Sequence, residues 1–133
     1  MPSVAVVGAS AKPERYSYMA VERYAAAGWT VYPVHPAGHC VAGIAGFTEL
    51  AALPERPTVI SMYLNPKLGV EMLDALVAAA PDYLWLNPGA DGEPIARAAR
   101  ARGLRVVETC NLVALSRGDP LAIAAELAGP VAD

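Results

Sequence analysis

The stretch Ser3-Val-Ala-Val-Val-Gly-Ala-Ser-Ala-Lys-Pro-Glu-Arg15 decides the fold. Val4 to Val7 is an uninterrupted apolar run. Such runs mark parallel strands covered on both faces, whereas strands with one wet face alternate. Gly8 ends the run, and two small residues, Ala9 and Ser10, follow it. Glu14 to Ala27 then reads as a helix, with Tyr16, Met19 and Arg23 three or four residues apart and Gly28 in position to stop it. Strand, tight turn and helix in this order make the first half of a βαβ unit.

The same alternation continues outward. Thr30-Val-Tyr-Pro-Val34 is the second strand, with Pro33 expected near its end because proline donates no ladder hydrogen bond. Residues 36–47 are rich in Gly, Ala and Pro and read as a loop. Thr48 to Leu53 is expected to form one or two helical turns capped by Thr48. Thr58 to Tyr63 is the third strand. Pro66 opens a helix running to about Ala80, with Leu68, Met72, Leu73 and Leu76 on one face. Tyr83-Leu-Trp-Leu86 is the fourth strand, Asn87 to Asp91 a turn, and a helix follows through about Arg102. Leu104 to Glu108 is the fifth strand, and Asp119-Pro120 starts a last helix ending near Ala128.

Strands separated by helices require parallel pairing and right-handed crossovers. The expected architecture is α/β: one domain over residues 1–133, with a doubly wound, five-stranded parallel sheet in the order 3-2-1-4-5. Ligands of such sheets bind beyond the carboxyl ends of the strands, at the switch point, here expected between the first and fourth strands. That selects segments 8–17, 35–40, 63–67, 87–91 and 109–112.

Composition narrows the function. The 133 residues carry a net charge of −3, and 55% are hydrophobic. Nucleic-acid binding would call for a basic surface, so that class is disfavoured. No apolar run approaches the roughly 20 residues of a membrane span. Cys40 and Cys110 lack CxxC spacing, so neither a zinc ribbon nor a disulfide framework is implied, and a reducing cytoplasm is the expected compartment.

The turn after the first strand suits phosphate. Gly8 permits a sharp bend, free amides and the helix start offer donors, and Lys12 and Arg15 add positive charge. The turn matches neither G-x-G-x-x-G nor G-x-x-x-x-G-K-[ST], which argues against a dinucleotide fingerprint and a P-loop. A carboxylate for the ribose diol of NAD is also missing after the second strand, where Val34-His35-Pro36 stands.

Val4 to Ser10, then Lys12-Pro-Glu-Arg15 and Ser17, then Gly28-Trp-Thr-Val-Tyr-Pro-Val-His-Pro36, resemble the small stand-alone CoA-binding domain proteins. These are Rossmann-like and similar to the nucleotide-binding domain of the succinyl-CoA synthetase α subunit. Tyr83 to Gly89, and Gly103 to Val107 with Cys110, continue the resemblance over nearly the whole chain. It implies coenzyme A or an acyl-CoA at the carboxyl edge of the sheet. The pyrophosphate is implied on Gly8, Ala9 and Ser10 with Lys12, Arg15 and Ser17. The adenosine end is implied near His35, Pro36, Leu64, Asn65 and Pro66, and Asn87 and Gly89 complete the candidate set. The sequence departs from the family's usual residues at His35, at Tyr63-Leu64, at Asn87 and at Thr109.

Other features have plainer readings. His35 and His39 are spaced HxxxH beside Cys40, but Pro36 and Gly38 lie between them, so no metal site is expected. Cys110 faces the presumed cleft without an evident base and is expected to be an inert thiol. Tyr16, Tyr18 and Tyr24 either pack the first helix or line the groove. Nothing completes a catalytic constellation. The leading expectation is a non-catalytic module for a small nucleotide ligand, with no nucleic acid or membrane partner and no protein partner indicated. The alternatives are an NAD(P)-binding oxidoreductase-like protein and a degenerate domain used for interaction. With no acid between His35 and Glu49, the 3′-phosphate of CoA is expected to meet His35 or Lys12. CoA is then expected to bind more tightly than dephospho-CoA, and both more tightly than NAD.

Overall fold

A computed structural model of the chain describes residues 2–128; Met1 and residues 129–133 of the expected domain lie outside them. Five strands, β1 (Ser3–Val7), β2 (Thr30–Val34), β3 (Val59–Met62), β4 (Tyr83–Leu86) and β5 (Val106–Glu108), form one all-parallel sheet. Six α-helices accompany it: α1 (Tyr16–Ala26), α2 (Pro66–Glu71), α3 (Leu73–Ala79), α4 (Ile95–Ala101), α5 (Asn111–Arg117) and α6 (Pro120–Ala128). Side chains of a strand point alternately to its two faces, so the apolar run of β1 serves two cores. Val4 and Val6 join Val31, Val59, Trp85 and Val107 under α1, α5 and α6. Ala5 and Val7 join Ile60, Met62, Leu84 and Leu86 under α3 and α4. This is the Rossmann-like, doubly wound α/β fold that the alternating pattern implies.

The strand order corrects the expected 3-2-1-4-5. The sheet runs β2-β1-β3-β4-β5, with β3 paired to β1 instead of lying outside β2. Pro33 explains the difference. In the expected order β2 would have a neighbour on each side, and a proline would interrupt one ladder. Here β2 pairs along its length only with β1. The Pro33 carbonyl faces the outer edge, where it accepts from the Phe47 amide at 2.8 Å. The switch point therefore lies between β1 and β3, whose following connections leave in opposite directions.

Local boundaries also shift. The first helix begins at Tyr16, because Arg15 is extended as its N-cap. A single 3-10 turn, Leu50–Ala52, replaces the helical turns expected from Thr48, and Glu49 stands at its N-cap. The long helix expected from Pro66 breaks at Met72 into α2 and α3. Gly69 lies under Ile95 there, where a Cβ would come within 3.3 Å of Ile95 Cγ1. This close approach lets α2 cross α4 before the chain changes direction. The last strand starts at Val106, and α5 fills the segment after Cys110, to which the sequence reading assigns no element.

Candidate functional site

At the switch point the β1–α1 turn meets the segment after β3. Gly8 has φ +86°, and a Cβ on it would lie 2.9 Å from Leu64 Cδ2 and 3.3 Å from the Tyr63 carbonyl carbon. Glycine is thus required both by the backbone and by the neighbouring loop. The amides of this turn are largely occupied. Gly8 N and Ala9 N both donate to Val34 O, at 2.9 and 3.3 Å. Ser10 N donates to Ser17 Oγ at 3.0 Å, and Lys12 N donates to Ser10 Oγ at 3.1 Å. The open donors lie one step further on. Arg15 caps α1 without a side-chain hydrogen bond, and among the described residues the amides of Tyr16, Ser17 and Tyr18 have no hydrogen-bond partner. A helix start of this kind attracts anions through its free amides and its dipole.

Two grooves meet over Gly8. The first, about 380 Å³, is lined by Gly8, Ser10, Lys12, Arg15, Ser17 and Tyr63 among others. Neither Lys12 nor Arg15 forms an ion pair among the described residues, so this groove is cationic. The second, about 450 Å³, runs to the other side between the loop after β2 and the helices α2 and α3. Val34, Pro36, Leu64, Leu68 and Met72 give it apolar walls, and His35, Glu49 and Glu71 add polar groups. A third depression of about 410 Å³, between the 3-10 turn and α3, lies beside Pro57 and Ala80 at the opposite edge of the sheet.

The structure therefore brings Gly8, Ser10, Lys12, Arg15 and Ser17 together on one side and His35, Pro36 and Leu64 on the other. Ala9 is fully buried beneath them. The remaining candidates do different work. Asn65 caps α2 through an Oδ1 that accepts from Leu68 N at 3.0 Å, and Pro66 follows at the first helical position. Asn87 is buried, donates from Nδ2 to Ser61 Oγ at 2.9 Å and to Met62 O at 3.0 Å, and accepts from Asn111 N at 2.8 Å. Ser61 in turn donates to Asn111 Oδ1. Asn87 thus ties β3, β4 and the start of α5 together. Gly89 turns the exposed loop after β4, its amide donating to Asp91 Oδ1 at 3.2 Å.

The two histidines stack, with ring centroids 4.5 Å apart. Nδ1 of His35 accepts from Ala37 N at 3.0 Å, which places the proton of the neutral ring on Nε2. His39 Nε2 lies 2.9 Å from Ala9 O and donates to it. Cys40 and Cys110 are free thiols, and Cys110 is half-buried at the N-cap of α5. Among the described residues no cluster of His, Cys, Asp and Glu is arranged to hold a metal ion.

Sequence reasoning did not assign three residues to the site: Tyr63, Glu49 and Glu71. Burial, and then the nearby Cys110, push the Tyr63 hydroxyl well above the ordinary tyrosine range, so it stays protonated. Its sequence signals were its place at the end of the third strand and within segment 63–67, with no role of its own attached. Glu49 and Glu71 lie in a loop and on a helix whose approach to His35 no local pattern announces.

A sequence-family profile described as "CoA binding domain" matches residues 2–116. The chain belongs to the CoA-binding domain family. This CoA-binding domain superimposes on a hypothetical protein from Pyrococcus horikoshii with a TM-score of 0.79 and 26% identity, covering 86% of this chain and 81% of that one. A conserved hypothetical protein from Pyrococcus furiosus gives a TM-score of 0.75 and 27% identity, covering 86% of this chain and 99% of that one. The same fold occurs within a dinucleotide-forming acetyl-coenzyme A synthetase of Ca. Korarchaeum cryptofilum. That match has a TM-score of 0.67 and 19% identity, and covers 79% of this CoA-binding domain but 25% of the synthetase chain.

Proposed function

We propose that this domain holds coenzyme A or an acyl-CoA without transforming it, across the two grooves at the carboxyl edge of the sheet. The observation that carries the proposal is the junction of a cationic groove with an apolar one over Gly8. A nucleotide diphosphate has the same division, an anionic centre beside a flat, largely apolar base. The diphosphate would be held by Lys12, Arg15 and the open amides at the start of α1. The adenosine would pass over Gly8 into the groove between Pro36, Leu64 and Met72. Gly8, Ala9 and Ser10 then shape the floor, because most of their donors are already occupied.

A binding role suits the polar groups around the grooves. Asn87, Ser61 and Asn111 bond to one another, and both histidines have backbone partners. None is left as an evident acid or base beside Cys110. Among the described residues no helix is long and apolar enough to cross a membrane.

Calorimetric titration of CoA and acetyl-CoA tests the site. The double variant Lys12→Ala/Arg15→Ala removes both unpaired cations, and charge-assisted contacts of this kind predict a loss of about tenfold or more in affinity. Undiminished CoA affinity in that variant would overturn the placement of the diphosphate.

A further inference from the structure

We infer that the adenosine groove selects a ribose with a free 2′,3′-diol, so that the 3′-phosphate of CoA weakens binding instead of anchoring it. The inference rests on the proposed placement of the nucleotide and adds the chemistry of its ribose end. Two carboxylates, Glu49 and Glu71, line this groove from opposite sides, one at the start of the 3-10 turn and one at the end of α2. Neither is in an ion pair or a side-chain hydrogen bond among the described residues. Both therefore keep their acceptor oxygens for hydroxyl or amino donors, which a ribose diol and an adenine supply.

No lysine or arginine lines the groove to offset them. Lys67 stands one turn before Glu71 on α2 and is exposed outside the lining. Lys12 and Arg15 line the other groove, beyond Gly8. His35 is the remaining polar ring, and its Nδ1 already accepts from the Ala37 amide. A doubly charged phosphate on the ribose would thus enter a space with two carboxylates and apolar walls, where the Nε2–H of His35 is the one ring donor and no lysine or arginine lines the wall. The ligand class that fits is an adenosine diphosphate ester without a 3′-phosphate, such as dephospho-CoA. This reverses the preference expected from the sequence, in which no acid stands between His35 and Glu49.

CoA and dephospho-CoA differ only in that phosphate, so the pair isolates the effect. Titrations of both at low salt, with NAD as a third ligand, should give dephospho-CoA an advantage of about tenfold over CoA. The variant Glu49→Gln/Glu71→Gln changes two exposed side chains and keeps their shape. It should close most of the gap, mainly by tightening CoA. A preference for CoA that the double variant leaves unmoved would overturn the inference while the proposed CoA site stands. NAD binding more tightly than either CoA form, with the same response to the glutamines, would uphold the free diol and overturn the CoA reading. Absence of binding by all three ligands would overturn both.

Discussion

Gly8→Ala should destabilise the fold by about 2–5 kcal/mol, from two additive sources. The first is backbone. Gly8 sits at φ +86°, and holding an L-residue in the left-handed region costs about 1–2 kcal/mol. The second is contact. The new Cβ would meet Leu64 Cδ2 at 2.9 Å and the Tyr63 carbonyl carbon at 3.3 Å. Leu64 can rotate away, but Tyr63 is pinned, its amide donating to Val7 O at 2.9 Å. Overpacking of this kind adds about 1–3 kcal/mol.

Equilibrium urea unfolding measures the sum, with an unchanged m-value showing that only stability has moved. Leu64→Ala in the Gly8→Ala background separates the sources. Trimming the leucine relieves the contact but leaves the backbone term, so the pair should couple favourably by about 1 kcal/mol. A Gly8→Ala variant within about 0.5 kcal/mol of the parent, the range of ordinary surface changes, would refute the reasoning.

Asn87→Leu should lose about 2–4 kcal/mol, because it strands the buried Asn111 backbone N–H and takes the Nδ2 donor away from Ser61 Oγ and Met62 O; a loss below about 1 kcal/mol in urea unfolding would show that the network is dispensable. Asn65→Ala removes the α2 cap on Leu68 N and should cost about 1 kcal/mol, read in the same way; no change would remove the cap's role. Tyr24→Phe should stabilise by about 1 kcal/mol near neutral pH, because the Tyr24 hydroxyl is buried without a hydrogen-bond partner. Burial first, and then Tyr63, raise its ionisation far above that of an unfolded tyrosine. The folded chain therefore keeps a proton that the unfolded chain sheds from about pH 10 upward, and stability falls there by about 1.4 kcal/mol per pH unit for each such group. Tyr24→Phe should reduce the drop in urea midpoint between pH 8 and pH 11, and an equal drop in both proteins would refute the assignment.

The fold was legible wherever one short segment carried its own signal. Val4 to Val7 needed only its apolar run to be read as a doubly covered strand, and Pro66 and Asp119-Pro120 marked helix starts by local chemistry alone. Strand order was different, because it depends on which edges remain free. The deciding residue was nevertheless visible: Pro33 was recognised as awkward within a central strand. Its consequence, that β2 must be an edge, follows only when the proline is weighed against the whole sheet. The break at Met72 had no comparable sign, since the apolar face from Leu68 to Leu76 continues through it, and only the passage of Gly69 beneath Ile95 exposes the change of direction.

The cationic half of the site was legible for the same reason as β1: Lys12 and Arg15 are fixed within one turn of the strand end that orients them. The apolar half was not, because the chain reaches it by folding back. Phe47 pairs with the end of β2, its amide donating to Pro33 O at 2.8 Å and its carbonyl accepting from His35 N at 2.9 Å. That bridge returns the loop to the carboxyl edge of the sheet, so Thr48 and Glu49 arrive beside His35 although many residues intervene. Gly46 makes the return possible, since a Cβ there would fall 2.1 Å from His39 O. A search for the ribose carboxylate at a fixed offset after the second strand therefore finds His35 and Pro36, whereas the fold delivers the acid from the far end of the loop. In the proposed site the charge that would meet the ribose is set by this tertiary bridge, and a change that loosens Phe47 should alter ligand preference without touching a lining residue.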